Sequence, residues 1–334
     1  MRVWQISEFG VDSLEFTERQ TPRPGAGEVL VKVHAVSLNY RDLLMVKGLY
    51  NPKLKLPRIP CSDGAGEVTA VGEGVTQWKR GDHVAGIFMQ NWHDGQPTPA
   101  KVKGALGGDI DGMLAEYVVL PEAGLVATPG HLSFEEAATL PCAAVTAWNA
   151  LAAGEVKPGS TVLIQGTGGV SIFALQFARM MGARVLGISG TPAKLERASA
   201  LGLDAGTNYH EISDWDHWVM DETGGEGVDL VVEVGGIGTL PRSLRSIRMG
   251  GTIAQIGVLS EPAELLPLPV ILHKQARIRG IYVGSRRDFE EMIKAIALAE
   301  LKPVHESFPW TEAREVLGRL EQATHFGKLV LTVK

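Results

Sequence analysis

The plainest chemistry in the sequence lies in Thr161-Val-Leu-Ile-Gln-Gly-Thr-Gly-Gly-Val-Ser171. Val162 to Gln165 suit a buried strand, Gly166, Gly168 and Gly169 a tight turn, and Ile172 to Met181 an apolar helix. A strand that runs through a glycine turn into a helix lays backbone N–H groups and a helix N-terminus against a pyrophosphate. Gly166, Gly168, Gly169 and Val170 are therefore the expected phosphate contacts. The third glycine of the usual G-x-G-x-x-G pattern, which lets helix and strand pack closely, is Ser171 here. The surrounding strand–helix alternation has to support the assignment in its place.

The next strand points to the kind of dinucleotide. An NAD-binding chain usually carries an acid about 20 residues further on, which holds the ribose 2′-hydroxyl. Here the strand ends Gly187-Ile-Ser-Gly-Thr-Pro-Ala-Lys194, with Ser189, Lys194 and Arg197 and no carboxylate. A 2′-phosphate would meet hydroxyls and cations, so NADP(H) is predicted. Arg197 suits a solvated helix face equally well. Ligands in open α/β sheets sit beyond the strand carboxyl ends. Val234-Gly235, Gly257-Val258 and Val283-Gly284 follow three later strands and are expected to line the cofactor.

Those residues need a scaffold, and the grammar of the chain supplies one. The first 125 residues read as β-rich, with strands over Val29–Val36, 66–71 and 112–119 between glycine and proline punctuation. From Ser133 strands and helices alternate. Ser133-Phe-Glu-Glu136 is a capping box ahead of an apolar helix to about Ala152, and Pro192 opens a helix to Leu201. Strands are expected at 162–165, 184–189, 206–209, 229–234, 252–257 and 278–283, followed by an amphipathic helix over 287–301. Such alternation implies a parallel, doubly wound sheet. The final strand, 328–333, is expected to return to the first domain. The expected domains are 1–125 with 286–334, and 126–285.

Bulk properties narrow the class. The chain of 334 residues is longer than one core usually organises, and 45% hydrophobic with 21% charged residues is an ordinary globular balance. A formal charge of −6 argues against nucleic acid or an anionic membrane as main partner. Two cysteines, Cys61 and Cys142, cannot build a disulfide framework or a four-cysteine zinc lobe. With no signal-peptide stretch and no membrane-length apolar run, a cytoplasmic enzyme is expected. The nine histidines show no metal spacing; His34 and His83 read as structural, and Trp92-His93 opens a polar loop that could reach a substrate.

Taken together, Asn39-Tyr-Arg-Asp42, Gly48-Leu-Tyr50, Pro60-Cys-Ser-Asp-Gly-Ala-Gly-Glu-Val68, Val71-Gly-Glu-Gly-Val75, Gly81-Asp-His-Val84, Leu140-Pro-Cys-Ala-Ala-Val-Thr-Ala-Trp148, the glycine turn, Lys194-Leu-Glu-Arg197 and Asn208-Tyr209 resemble the medium-chain dehydrogenase/reductase superfamily. Within it they resemble the zinc-free, quinone-oxidoreductase-like branch. The resemblance spans essentially the whole chain. It implies an α/β fold with a doubly wound Rossmann domain and a β-rich GroES-like catalytic domain that is discontinuous in sequence. It also places the three catalytic zinc ligands of the alcohol dehydrogenases at Asn39, Ser62 and Cys142, of which only the last is a good ligand. The structural zinc lobe would fall at 91–111, which has no cysteine and reads as a mobile loop or lid. A metal-free enzyme is expected.

Without a Lewis acid, oxidation of a plain alcohol is difficult. A quinone or α,β-unsaturated carbonyl spreads its own developing charge, and hydrogen bonds can stabilise that charge. Asn39 is the expected hydrogen bond to substrate or nicotinamide ribose, and a turn-forming asparagine is the plainer reading. Asp42 stands beside it as a candidate catalytic carboxylate, better suited to ordering backbone or Arg41. Tyr50 resembles a pocket tyrosine, proton donor or aromatic wall, and Tyr40 is a weaker candidate. The resemblance further implies that Thr146 contacts the nicotinamide, Tyr209 the adenosine phosphate end and Lys328 the pyrophosphate. An alcohol or aldehyde dehydrogenase recruiting metal through Cys142, and a non-catalytic NADPH-binding protein, are the competing readings. The apolar stretch Leu265-Leu-Pro-Leu-Pro-Val-Ile-Leu272, ahead of the last sheet strand, suggests a homodimer or a buried loop.

Overall fold

The computed structural model describes residues 1–259 and 265–334. The chain forms two compact units, Met1–Val145 with Gly284–Lys334, and Thr146–Val283. The first boundary lies some twenty residues beyond the one expected from sequence. Its cause is the capped helix Phe134–Ala138, which belongs to the β-rich unit: the Phe134 ring stacks on His34 at 4.4 Å and meets His83 at 4.5 Å. Both histidines thus serve packing.

The Thr146–Val283 unit holds one six-stranded, all-parallel sheet. Its spatial order is Ala205–Asn208, Arg184–Ser189, Thr161–Gln165, Val228–Glu233, Ile247–Gln255, Arg277–Gly280. Numbered along the chain this is 3-2-1-4-5-6, so the order reverses beside Thr161–Gln165, where doubly wound sheets bind dinucleotides. Val162, Leu163, Ile164, Val231 and Val232 are consecutive and buried, as a sheet covered on both faces requires. The last strand ends at Gly280, three residues short of expectation. Val283 instead takes a left-handed backbone, φ 57°, which is costly for a β-branched residue. The Asn149 amide holds it by donating to its carbonyl at 2.8 Å.

In the other unit, Glu28–Ser37 is the central strand. It pairs antiparallel with Asp63–Val71, Tyr117–Pro121 and the C-terminal strand Lys328–Thr332. The C-terminal strand thereby returns to the first domain as expected. Strand His83–Gly86 and strand Leu125–Ala127 extend the sheet on one side, and His305–Pro309 on the other. The 91–111 region is fastened in place. The Trp92 indole donates to Gly95 O at 2.9 Å, Arg286 and Arg287 N–H groups donate to Trp92 and His93 carbonyls, and the Asp109 carboxylate accepts from Gly104 and Ala105. These contacts hold a segment that composition alone reads as a mobile loop or lid.

The helix expected through Ala152 is broken into Phe134–Ala138, a wide π turn Leu140–Ala144, and Val145–Ala153. Pro141 cannot donate a backbone bond, and π turns of this kind recur at functional sites. The Cys142 N–H leaves the helix ladder and donates to Asp63 Oδ2 at 3.0 Å.

Candidate functional site

In the β-rich unit a buried polar cluster forms at the end of the central strand. Asn39 caps the helix Tyr40–Val46. The C-terminal strand runs alongside with Val330 opposite Ser37. Continuing that antiparallel register by two residues sets Lys328 opposite Asn39. The Lys328 ammonium donates to Leu38 O and to Asn39 Oδ1, both at 2.5 Å. An ammonium has no acceptor, so the atom it meets is the amide oxygen and the amide orientation follows. The Asn39 Nδ2 then faces Ser62 Oγ at 3.3 Å. Ser62 Oγ donates to Asp63 Oδ1 at 2.6 Å.

The carboxylates here organise the cluster. Asp42 Oδ2 accepts from Asn39 N at 2.8 Å and Oδ1 from Ser62 N at 3.2 Å, with Arg41 Nη1 3.7 Å away. Complete burial pushes its carboxyl up to about 6, against the nearby positive charge of Arg41. Asp42 therefore binds backbone N–H groups from both sides. Burial likewise raises Asp63, opposed by the charge of Lys328 and by hydrogen bonds from Ser62 and Asn39. Lys328 is itself buried inside this unit. Strand register delivers it to Leu38 and Asn39, and the pyrophosphate contact expected of it stays a proposal. Tyr50 is exposed, with the Arg41 guanidinium 5.5 Å from its ring centre, and the same guanidinium covers Phe88.

This cluster does not fit zinc. The single good ligand atom of Asn39 already holds an ammonium, and Ser62 spends its proton on Asp63. Burial pushes the Cys142 thiol well above its ordinary range.

In the other unit the residues expected at the cofactor converge on the strand carboxyl ends. Gly166 has φ 67°, a conformation that needs glycine, and its N–H donates to Ile188 O at 2.7 Å. A Cβ at Gly166 or Gly168 would project into open space, so the glycines leave room that a pyrophosphate would fill. Helix Gly169–Met180 begins there, and its first-turn N–H groups have no partner within the helix. Ser171 is buried and donates to Gln165 O at 2.6 Å, so the residue in place of the third glycine ties helix to strand. The Tyr209 hydroxyl lies beside Gly190, where a Cβ would come within 2.7 Å of it, and the Tyr209 N–H donates to Ser189 O. Lys194 lies in the first turn of helix Pro192–Ala200, immediately after that strand end. Thr146 is buried near the start of its helix, while Val258 is exposed. The site fits a dinucleotide.

Sequence reading missed Glu233, which closes the strand Val228–Glu233 and is fully buried. Its Oε1 accepts from Thr239 Oγ1 at 2.6 Å and from Gly235 and Gly236 N–H at 2.9 Å each. Oε2 accepts from Gln165 Nε2 at 2.8 Å and from the Ser243 hydroxyl. The Val234-Gly235 turn is thereby fixed against the glycine turn. An acid that ends a strand after the apolar run Leu230-Val-Val232, with one residue between it and Gly235-Gly236, is the signal that could have found it.

A dinucleotide sheet joined to a β-rich unit with a buried polar cluster defines an oxidoreductase that works with a nicotinamide cofactor. Residues 25–130 match the alcohol dehydrogenase GroES-like domain family and residues 169–298 the zinc-binding dehydrogenase family. The chain is 45% identical to the zinc-type alcohol dehydrogenase-like protein C1773.06c of Schizosaccharomyces pombe, over 97% of this chain and 96% of that one. It is 33% identical to an acryloyl-coenzyme A reductase of Metallosphaera sedula, over 87% of each. The solved structure of an NAD-dependent alcohol dehydrogenase superposes with a TM-score of 0.93 at 36% identity, covering 100% of both chains. The chain belongs to the medium-chain dehydrogenase/reductase superfamily.

Proposed function

We propose that this protein is an NADP(H)-dependent, zinc-independent reductase that passes hydride to a quinone or an α,β-unsaturated carbonyl. The observation that carries the reading is the Lys328 ammonium on Asn39 Oδ1, at the position where zinc-dependent relatives would need a ligand. The cofactor, when bound, supplies the hydride. The chain's own part is to hold the acceptor and stabilise the charge that develops on its oxygen. Asn39 Nδ2, whose N–H groups meet Ser62 and Asp63 in the free protein, would exchange one of these partners for that oxygen, and such a donor suits a delocalised enolate or quinol anion better than a localised alkoxide. Tyr50 or solvent returns the proton. An acryloyl-coenzyme A reductase among the relatives is a reducer of a conjugated carbonyl by name, which supports this acceptor class.

The cofactor preference rests on the end of Arg184–Ser189, where Gly190, Thr191 and Lys194 follow and no acid stands. Thermal-shift titration with NADP(H) and NAD(H) tests it. NADPH is expected to raise Tm at concentrations about tenfold lower than NADH. Equal or stronger stabilisation by NADH would contradict the preference.

A homodimer is also proposed. Leu265, Leu268 and Leu272 are 92%, 66% and 74% exposed while Leu266, Val270 and Ile271 pack on the core, and every residue of the adjoining edge strand Arg277–Gly280 is exposed, which supports this reading. Light scattering on purified protein checks it.

The zinc-type names of relatives favour a second reading, a metal-dependent alcohol dehydrogenase. Stoichiometric zinc in active protein would establish it.

A further inference from the structure

We infer that His210 is a specificity-determining residue for the cofactor: its Nε2, beside the Tyr209 hydroxyl, meets the 2′-phosphate of NADP(H) at the place where an NAD-binding chain sets its acid. This role rests on the NADP(H) preference proposed above and adds a residue to it. The acid of an NAD-binding chain stands near the end of the second sheet strand, where it holds the ribose 2′-hydroxyl. Here that strand, Arg184–Ser189, runs into Gly190, which has no side chain to offer. The third strand of the unit lies parallel beside it, with Asn208 opposite Ser189. That register carries the next two residues, Tyr209 and His210, alongside Gly190. A Cβ on Gly190 would come within 2.7 Å of the Tyr209 hydroxyl and 3.2 Å of His210 Nε2. Two polar tips thus converge on the space from which an acidic side chain would start.

The turn after the third strand holds the histidine there. The His210 N–H donates to Asn208 Oδ1 at 3.1 Å, its ring centre lies 4.6 Å from that of Tyr209, and the Tyr209 N–H donates to Ser189 O at 3.1 Å. Asn208 Nδ2 donates to Glu211 Oε1 at 2.7 Å, so the one carboxylate of residues 208–212 is drawn to the asparagine amide. Among the described residues neither ring nitrogen of His210 takes part in a hydrogen bond. An imidazole that carries its proton on Nε2 donates there whether the ring is neutral or charged. A phosphate monoester brings a charge of about −1.5 to −2 and three acceptor oxygens, where a ribose hydroxyl brings neither. Hydrogen bonds to an ionised acceptor are roughly twice as strong as those between neutral groups. His210 therefore favours the phosphorylated nucleotide and gives little to the unphosphorylated one. The ring is exposed, so solvent competes for it and the effect is moderate.

The test is isothermal titration of the full chain with NADPH and NADH, and with 2′,5′-ADP and 5′-AMP as probes of the adenosine end alone. His210→Phe keeps a ring against Tyr209 and removes both nitrogens. It is expected to weaken NADPH and 2′,5′-ADP about five- to tenfold, with NADH and 5′-AMP within about twofold of wild type. His210→Gln, which returns an N–H donor on a side chain of similar reach, should hold NADPH within about threefold of wild type. Equal weakening of NADPH and NADH in His210→Phe would mean that the ring only supports the turn, and unchanged binding of both would mean that the phosphate lies elsewhere; either overturns the inference. A wild type that binds NADH as tightly as NADPH contradicts the cofactor preference, and the role of His210 with it. A wild type that prefers NADPH, with the same preference in His210→Phe, contradicts the role alone, so the two failures are distinguishable.

Discussion

Asp42 shows how a carboxylate inside the cluster differs from one that does chemistry. Its folded pKa is raised to about 6 by burial, above the ordinary value of 3.8. Between those values the folded state binds more protons than the unfolded one. The favourable contribution is thus fully present below about pH 4 and is lost as pH rises through about 6. Wild type is expected to lose roughly 1.4 kcal/mol relative to Asp42→Asn between pH 5 and 7.5, read from urea unfolding at each pH. A pH-independent difference would show that Asp42 stays ionised throughout. Glu233 is a second buried carboxylate, surrounded by donors. Glu233→Gln puts an NH2 group among the N–H and O–H donors of Gln165, Ser243, Thr239 and the Gly235 turn. It is expected to cost about 2–4 kcal/mol in urea unfolding and to weaken NADPH binding about tenfold. Unchanged stability would mean that the network is dispensable.

At the scale of elements, the glycine turn was readable because strand, turn and helix each follow local rules, and the six parallel strands appear within a few residues of their expected places. What escaped the sequence is what register and tertiary contact decide. Lys328 reads as a strand lysine until the antiparallel pairing of Val330 with Ser37 brings it to Asn39. The helix through Ala152 reads as continuous because its apolar pattern does not break, yet Pro141 opens a π turn that frees the Cys142 N–H for Asp63. The 91–111 region is rich in loop residues, and residues distant in sequence, among them the N–H groups of Arg286 and Arg287 and the Arg41 guanidinium on Leu106 O, fasten it. Ser171 tests whether a departure from the glycine pattern matters. Ser171→Gly removes the hydroxyl bond to Gln165 O and adds backbone freedom. A loss of about 1–2 kcal/mol in stability is expected, with NADPH affinity within about threefold of wild type. A large gain in affinity would show that the serine obstructs the pyrophosphate.

For the whole molecule, family membership settles the class of chemistry and leaves the metal and the acceptor to the site. The dinucleotide unit follows the general doubly wound plan, while the polar cluster departs from the zinc-binding plan at Asn39 and Ser62. The proposed cost of that departure is the ability to stabilise a localised alkoxide. The proposed gain is a donor site suited to conjugated acceptors, held by a buried ammonium. The most direct measurement is zinc content and turnover on the same chelator-dialysed sample, with NADPH and 2-cyclohexenone or 1,4-naphthoquinone. Undiminished turnover at well under about 0.1 zinc per chain is the expected result, given a ligand set this poor. Activity that disappears on dialysis and returns with one equivalent of zinc would contradict the account.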